Sequence, residues 1–366
     1  MKLSISRDEL QDKLSDIQNI VEKRNTMPIL GHFLLDAGKK GTSIVATDLQ
    51  VAIREPLSAT VHAEGKICMP ARKLFEIVKE ADGDVTIESE DEQWAKILYG
   101  KSRFRLACLA SGEFPAWPGM ESTEEIRFDT ASLDEMIEKT LYSAGETDTR
   151  YTLNGLLFHI KAGEKAVTVV GTDGHRLALI TKDLDKAVKE EKKVILPRKA
   201  AAEVRKFFGD AESVSAVFGK NHILFSVGEV RFLARLIEGS YPDYEKVVPR
   251  SNEKIINVDR ELFLKALRRV SVISKERSSA IRMDLADGSL TVSSSNPDLG
   301  EAKDEVEISY NGDPLSLGFN ARYLMDSLNV MATAGVVFAI QDPLSPTLLK
   351  EDGNDAYRCV IMPMRI

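Results

Sequence analysis

Val169-Val170-Gly171-Thr172-Asp173, near the middle of the chain, is a strand-forming run that stops at a polar pair, and the sequence contains it in three versions. Ile44-Val45-Ala46-Thr47-Asp48 ends 125 residues earlier (48 to 173), and Val292-Ser293-Ser294-Ser295-Asn296 ends 123 residues later (173 to 296). Two further landmarks keep this spacing. A strand running into a helix is expected at Met69-Pro70-Ala71-Arg72-Lys73, Leu196-Pro197-Arg198-Lys199 and Phe319-Asn320-Ala321-Arg322, and an aromatic residue or Met before proline closes each unit at Phe114-Pro115, Tyr241-Pro242 and Met362-Pro363. One register for three landmarks predicts three copies of one domain, at 1–125, 126–250 and 251–366. A chain of 366 residues has room for three domains that each bury a core.

Within a copy the periodicity changes along the chain. Ser6 with Glu9 and Ser132 with Glu135 have capping-box spacing, and Asp259 is a cap candidate for the third copy. Behind the caps, Leu10, Leu14, Ile17 and Val21, then Leu133, Ile137 and Thr140, then Phe263, Leu267 and Val270 form apolar helical stripes. Short alternating strands with turns such as Asp287-Gly288 follow, a second helix begins after Pro70, Pro197 and Asn320, and more strands finish the unit. Without long crossover connections between strands, this order predicts an α+β fold with antiparallel sheets. Two of the helices divide by charge. Arg198, Lys199, Arg205 and Lys206 fall opposite Ala200, Ala201, Val204, Phe207 and Phe208, while Lys265, Arg268 and Arg269 fall opposite Phe263, Ala266, Leu267 and Val270. The first copy is mixed, with Arg72, Lys73 and Lys79 beside Glu76 and Glu80.

The net charge of −8 argues against a polyanion partner, but its distribution is uneven. Lys and Arg against Asp and Glu number 16 to 21 in residues 1–125, 20 to 19 in 126–250, and 13 to 17 in 251–366. Cys68, Cys108 and Cys359 are widely spaced in strand-like contexts and read as core residues, and the five histidines are equally scattered, so neither a metal site nor a cofactor is expected. No apolar run approaches the ~20 residues that cross a bilayer, and the N-terminus lacks a signal-peptide core, which predicts a cytoplasmic protein without membrane contact. Acidic clusters at Glu88–Glu92 and at Glu351, Asp352 and Asp355 read as solvated hairpin turns.

Gly171-Thr172-Asp173-Gly174-His175-Arg176-Leu177 looks most like a catalytic segment, since Asp and His two apart can form a general-base dyad. A hydrolase centred on Asp173 and His175 would also need a nucleophile or a metal, and the sequence has no G-x-S-x-G, H-E-x-x-H, C-x-x-C or P-loop. A tight turn that leaves His175 and Arg176 on a recognition rim is the preferred reading, with no catalytic residue assigned. A monomeric scaffold that binds peptides but not DNA is a third reading, opposed by the basic helical faces.

Pro28-Ile29-Leu30-Gly31, Thr172-Asp173-Gly174-His175-Arg176-Leu177, Tyr241-Pro242-Asp243-Tyr244 and Val360-Ile361-Met362-Pro363-Met364-Arg365, in this order and spacing, resemble the bacterial DNA sliding clamp family, the beta subunits of DNA polymerase III. The resemblance covers the whole chain. It implies three DNA-clamp domains, half of a pseudo-sixfold ring completed by a head-to-tail homodimer, with no enzymatic activity. It implies non-sequence-specific contacts to double-stranded DNA from Arg24, Arg72, Arg150, Tyr151 and Arg198, with Thr152 where some relatives carry a second aromatic. One face of the subunit seam would be Arg103, Phe104, Arg105 and Leu106, and the other Val272, Ile273, Glu301, Asp304 and Glu305. A cleft for linear motifs would comprise Leu153, Thr172, Gly174, His175, Arg176, Leu177, Pro242, Val247, Leu344, Ser345, Val360, Met362, Pro363 and Met364. Pro343 and Pro346 stiffen its expected edge. The implied partners are the polymerase III catalytic subunit, an ATP-dependent clamp loader, and other polymerases and repair proteins, joined for processive DNA replication.

Overall fold

The computed structural model describes residues 1–21, 27–38, 41–120, 124–274 and 279–365. Each repeat opens with a short strand that feeds a helix: Lys2–Ile5 into Arg7–Ile17, Glu125–Asp129 into Thr130–Leu141, and Lys254–Asp259 into Arg260–Ser271. The leading strand is an addition to the expected order. A second strand-to-helix junction lies at each expected place, with helices Ala71–Lys79, Arg198–Val204 and Ala321–Asn329.

The caps explain where the first helices begin. Ser6 accepts a hydrogen bond from the Glu9 amide at 3.3 Å and Asp259 from the Leu262 amide at 2.8 Å, each satisfying one otherwise unpaired donor of the first turn. Ser132 is not a cap, because its helix begins at Thr130. Asp129, ending the leading strand, holds the position of Ser6 and Asp259. Behind these starts, Leu10, Leu14, Leu133, Ile137, Phe263 and Leu267 are fully buried, and each such side chain is worth roughly 1.5–3 kcal/mol of apolar transfer. Thr140 shares the buried stripe, and its hydroxyl donates to the Met136 carbonyl at 2.7 Å.

The strands join adjacent repeats. Two compact units result, one made of residues 1–130 and 199–236, the other of 131–198 and 237–366. In the first unit an eight-stranded antiparallel sheet passes from the central repeat to the first where Val230–Arg235 pairs with Val51–Leu57, setting Leu233 opposite Ala52. A five-stranded sheet completes this unit and ends at the edge strand Ser102–Ala107. In the second unit a twelve-stranded sheet passes from the central repeat to the third where Arg176–Asp183 pairs with Tyr357–Ile361, setting Leu177 opposite Val360. The central repeat therefore gives half its strands to each unit.

Cys68, Cys108 and Cys359 are buried, and burial pushes their thiols up to about 12, 11 and 11, far from the reactive thiolate range. Glu351 departs from the expected solvated turn. It is 2% exposed and accepts from Lys139 at 2.9 Å and from the Ala332 amide at 2.7 Å, an ion pair with its remaining valence satisfied.

Candidate functional site

The turn Thr172–Arg176 is built by its own side chains. Asp173 accepts through Oδ1 from the amides of His175 (2.9 Å) and Arg176 (3.0 Å), while Thr172 accepts from the Gly174 amide at 3.0 Å and donates to the Arg176 carbonyl at 2.6 Å. Gly174 sits at φ +86°, where a β-carbon would approach the Arg150 guanidinium to 2.7 Å. Arg176 is spent on structure as well. Its guanidinium reaches Asp173 at 3.0 Å, Asp326 at 2.6 Å and the Tyr142 carbonyl at 2.6 Å, and it lies over the rings of Tyr323 and Tyr142 at 4.5 and 5.3 Å. Asp173 is thereby committed to holding a turn and an arginine, whereas a general base needs a free lone pair aimed at a substrate proton. His175 stands exposed on the rim.

Beside this turn lies a groove of about 150 Å³, lined by Leu153, Thr172, Gly174, His175, Arg176, Leu177, Pro242, Val247, Val360 and Met362, with Arg150 at its edge. Leu153, Leu177 and Val360 belong to the buried cluster beneath, whereas Val247 and Met362 remain more than one-third exposed. An apolar floor under exposed flexible side chains suits a short apolar peptide segment. Of the other expected cleft residues, Met364 donates its amide to the Gly318 carbonyl and leads Pro363 away along that bridge. Leu344 and Ser345 do not line the groove. Asp342 holds them in a local turn through amide bonds at 2.8 and 2.9 Å. A larger cavity of about 540 Å³ adjoins the same cluster through Tyr244 and Leu179. Much of its lining is charged, with Lys161 paired to Glu245 at 3.0 Å and Lys350 to Asp355 at 2.6 Å, so the smaller apolar groove is the better receptor for an apolar segment.

The expected phosphate contacts divide by environment. Arg72 is exposed on its helix and Tyr151 is 69% exposed, while Arg24 lies outside the described residues. Arg198 donates to the Leu141 and Ala144 carbonyls at 2.6 and 2.8 Å, closing the C-terminal end of the preceding helix. Arg150 pairs with Asp148 at 2.9 Å, and that guanidinium holds the Asp148 carboxyl down at about 2. On the other basic face Lys265, Arg268 and Arg269 are exposed, as the helical wheel requires, although Arg269 already pairs with Asp304 at 2.7 Å.

Several strands end a sheet with one side unpaired, Ala59–Ala63 and Glu125–Asp129 among them, and two open edges carry residues expected at the subunit seam. Ser102–Ala107 pairs only with Trp94–Tyr99 and exposes Phe104, which stacks on Tyr99 with ring centres 5.6 Å apart. Gly300–Ser309 pairs along its length with Ser289–Asn296 but meets Lys254–Asp259 only at Ile308 and Ser309, leaving 300–307 open on that side. Arg105 is already held by Glu90 at 2.8 Å and Glu305 by Ser289 at 2.7 Å; Arg103 has no ion pair among the described residues.

Family models for the N-terminal, central and C-terminal domains of the DNA polymerase III beta subunit match residues 1–118, 127–243 and 245–365. The chain belongs to the beta sliding clamps of DNA polymerase III. The beta sliding clamp of Caulobacter vibrioides is 38% identical and that of Pseudomonas putida 36%, each aligned over the whole of both chains. Crystal structures of the C. crescentus beta sliding clamp (TM-score 0.95, 38% identity) and of the Pseudomonas aeruginosa polymerase III beta subunit (TM-score 0.94, 34% identity) also match over the full length of both chains. Sliding clamps are replication proteins and processivity subunits, not enzymes. In this clamp the sequence reading missed Arg150 at the groove edge and the Tyr142, Tyr323 and Asp326 cage around Arg176.

Proposed function

We propose that this clamp subunit forms a head-to-tail dimeric ring that encircles duplex DNA and tethers the replicative polymerase. The observation that carries the reading is the pair of open strand edges, 102–107 and 300–307. Joining them by main-chain hydrogen bonds satisfies both and uses different surfaces on each partner, so the contact is heterologous and must close by rotation. Phe104 supplies the apolar anchor toward Val272, which is 75% exposed, and its neighbour Ile273, while Arg103 faces the acidic strand of Glu301, Asp304 and Glu305.

Encirclement replaces affinity as the means of retention. Arg72, Tyr151, Lys265 and Arg268 offer exposed groups to a uniform phosphate array without reading bases, and Arg24, Arg150 and Arg198 join them by family resemblance. Several of these cations already have carboxylate or carbonyl partners, which weakens any single phosphate contact and favours sliding. The groove at Leu177 and Val360 receives linear motifs from the polymerase, the ATP-dependent loader and repair proteins.

Sedimentation velocity at low micromolar concentration tests the ring. The protein sediments as a dimer, and Phe104→Ala shifts it toward monomer by at least about tenfold in dissociation constant, the size of effect typical of a central interface anchor. A monomer before and after the substitution overturns ring closure.

A further inference from the structure

The first unit contains a second version of the groove, one repeat earlier. Its turn Thr47–Val51 reproduces the hydrogen bonds of Thr172–Arg176: Thr47 donates to the Val51 carbonyl at 2.8 Å and accepts from the Leu49 amide at 3.0 Å, and Asp48 accepts from the amides of Gln50 (2.9 Å) and Val51 (2.7 Å). The neighbouring strand is tied identically, since the Arg235 amide donates to the Gln50 carbonyl at 2.7 Å as the Met362 amide does to the His175 carbonyl at 2.9 Å. Strand register then equates Ala52 with Leu177 and Leu233 with Val360. Phe114-Pro115 stands for Tyr241-Pro242, and Trp117 for Tyr244.

These residues enclose a cavity of about 70 Å³ lined by Leu49, Ala52, Phe114, Pro115, Trp117 and Leu233, among others. Two side chains on the sheet face beside the cavity differ from those of the other groove by gaining positive charge. Arg235 replaces Met362 and Arg54 replaces Leu179 on the same sheet face, while arginine is kept at 231 and 358. Arg235 and Arg54 are exposed and form no ion pair among the described residues, and Arg54 lies over the Trp117 ring at 5.3 Å. Trp117 in the cavity lining, with Arg54 over its ring and Arg235 two residues beyond Leu233 on the same strand, supplies the residue types that dominate binding energy at protein interfaces.

We propose that this cavity is a second peptide-docking cleft, which takes an extended segment of a partner protein bearing one apolar side chain for the cavity and an adjacent carboxylate for Arg54 and Arg235. The charge is what selects this occupant over the neutral apolar segment that suits the Met362 groove. The inference rests on the reading of that groove as a peptide receptor.

The test uses the full chain with Trp94→Phe, which leaves Trp117 as the only tryptophan, and the probe peptide acetyl-Glu-Glu-Leu-Phe-Glu-amide, in plain and fluorescein-labelled forms. A saturable change in Trp117 emission is expected, weakened about tenfold or more by Arg235→Glu and unaltered by Met362→Asp. Labelled-peptide binding that Met362→Asp removes, with Trp117 silent, overturns the second cleft and leaves the first groove standing. Binding that neither substitution alters overturns both readings.

Discussion

Two joints between repeats share a backbone and differ in content. At 47–51 and at 172–176 the same Thr and Asp make the same four turn bonds, so main-chain geometry is fixed by two polar side chains at each joint. Around that constant frame Gly174 becomes Leu49, Arg176 becomes Val51 and Met362 becomes Arg235. The lesson is that the repeat supplies a cleft wherever one sheet passes into the next, and substituted side chains decide its width, charge and stability.

Arg176 against Val51 is the largest contrast. Arg176 is 11% exposed in its side chain and holds Asp173, Asp326 and a carbonyl between two tyrosine rings, while Val51 puts a small apolar side chain in the buried place. Truncation at 176 strands two carboxylates in a half-buried site, and Arg176→Ala is expected to cost about 3–5 kcal/mol. Val51→Ala loses two methyl groups and should cost about 2 kcal/mol. Urea unfolding of both variants checks the difference. Arg176→Lys should recover little, because an ammonium group cannot reproduce the planar stack and fork. Equal costs at the two positions break the contrast.

A second difference lies one turn of strand farther on, where Glu55 occupies the place of Ile180. Glu55 is 1% exposed, one of its carboxylate oxygens has no hydrogen-bond partner, and Lys13 is 3.8 Å away. Burial pushes its carboxyl up to about 8 despite that lysine. The folded state therefore holds a proton that the unfolded chain releases near the ordinary value of 4.5. Its stabilising contribution is complete below about pH 4.5 and is lost as the pH rises to about 8, by at most about 5 kcal/mol at 1.36 kcal/mol per unit. Glu55→Gln should match the parent near pH 5 and exceed it by a few kcal/mol at pH 9, read from denaturation midpoints at each pH. A constant difference across that range assigns the effect to packing instead.

Local chemistry was legible and long-range pairing was not. The helix starts after Pro70, Pro197 and Asn320, the caps at Ser6 and Asp259, and the two-sided helix of Lys265, Arg268 and Arg269 all follow from neighbours a few residues apart. Ser132 failed because a capping-box pattern also occurs inside a helix, where Glu135 instead pairs with Lys139 and Lys182. Nothing in the spacing shows that Leu177 meets Val360, or Ala52 meets Leu233, since those partners lie about 180 residues apart and their register exists only once the sheets form. Glu351 was misread for the same reason: its partner Lys139 is 212 residues away.

The smallest expected effect is the most discriminating, because it has opposite signs at the two joints. Leu49 holds φ +73°, a left-handed conformation that a leucine adopts at a cost of about 1–2 kcal/mol, and its side chain is 49% exposed, so little burial offsets the strain. Leu49→Gly removes that cost and should raise stability by about 1 kcal/mol after the entropy of the freer unfolded chain is subtracted. Gly174→Ala introduces the same strain and drives a β-carbon into the Arg150 guanidinium, and it should lower stability by about 1–2 kcal/mol. Thermal unfolding of the pair measures both signs in one experiment. A destabilised Leu49→Gly variant means that the leucine packs against its own cavity strongly enough to outweigh its backbone, and the first joint is then a plugged copy of the second. A stabilised one means that an exposed leucine is kept in a strained turn against the fold's own preference, as expected of a side chain retained to meet a partner.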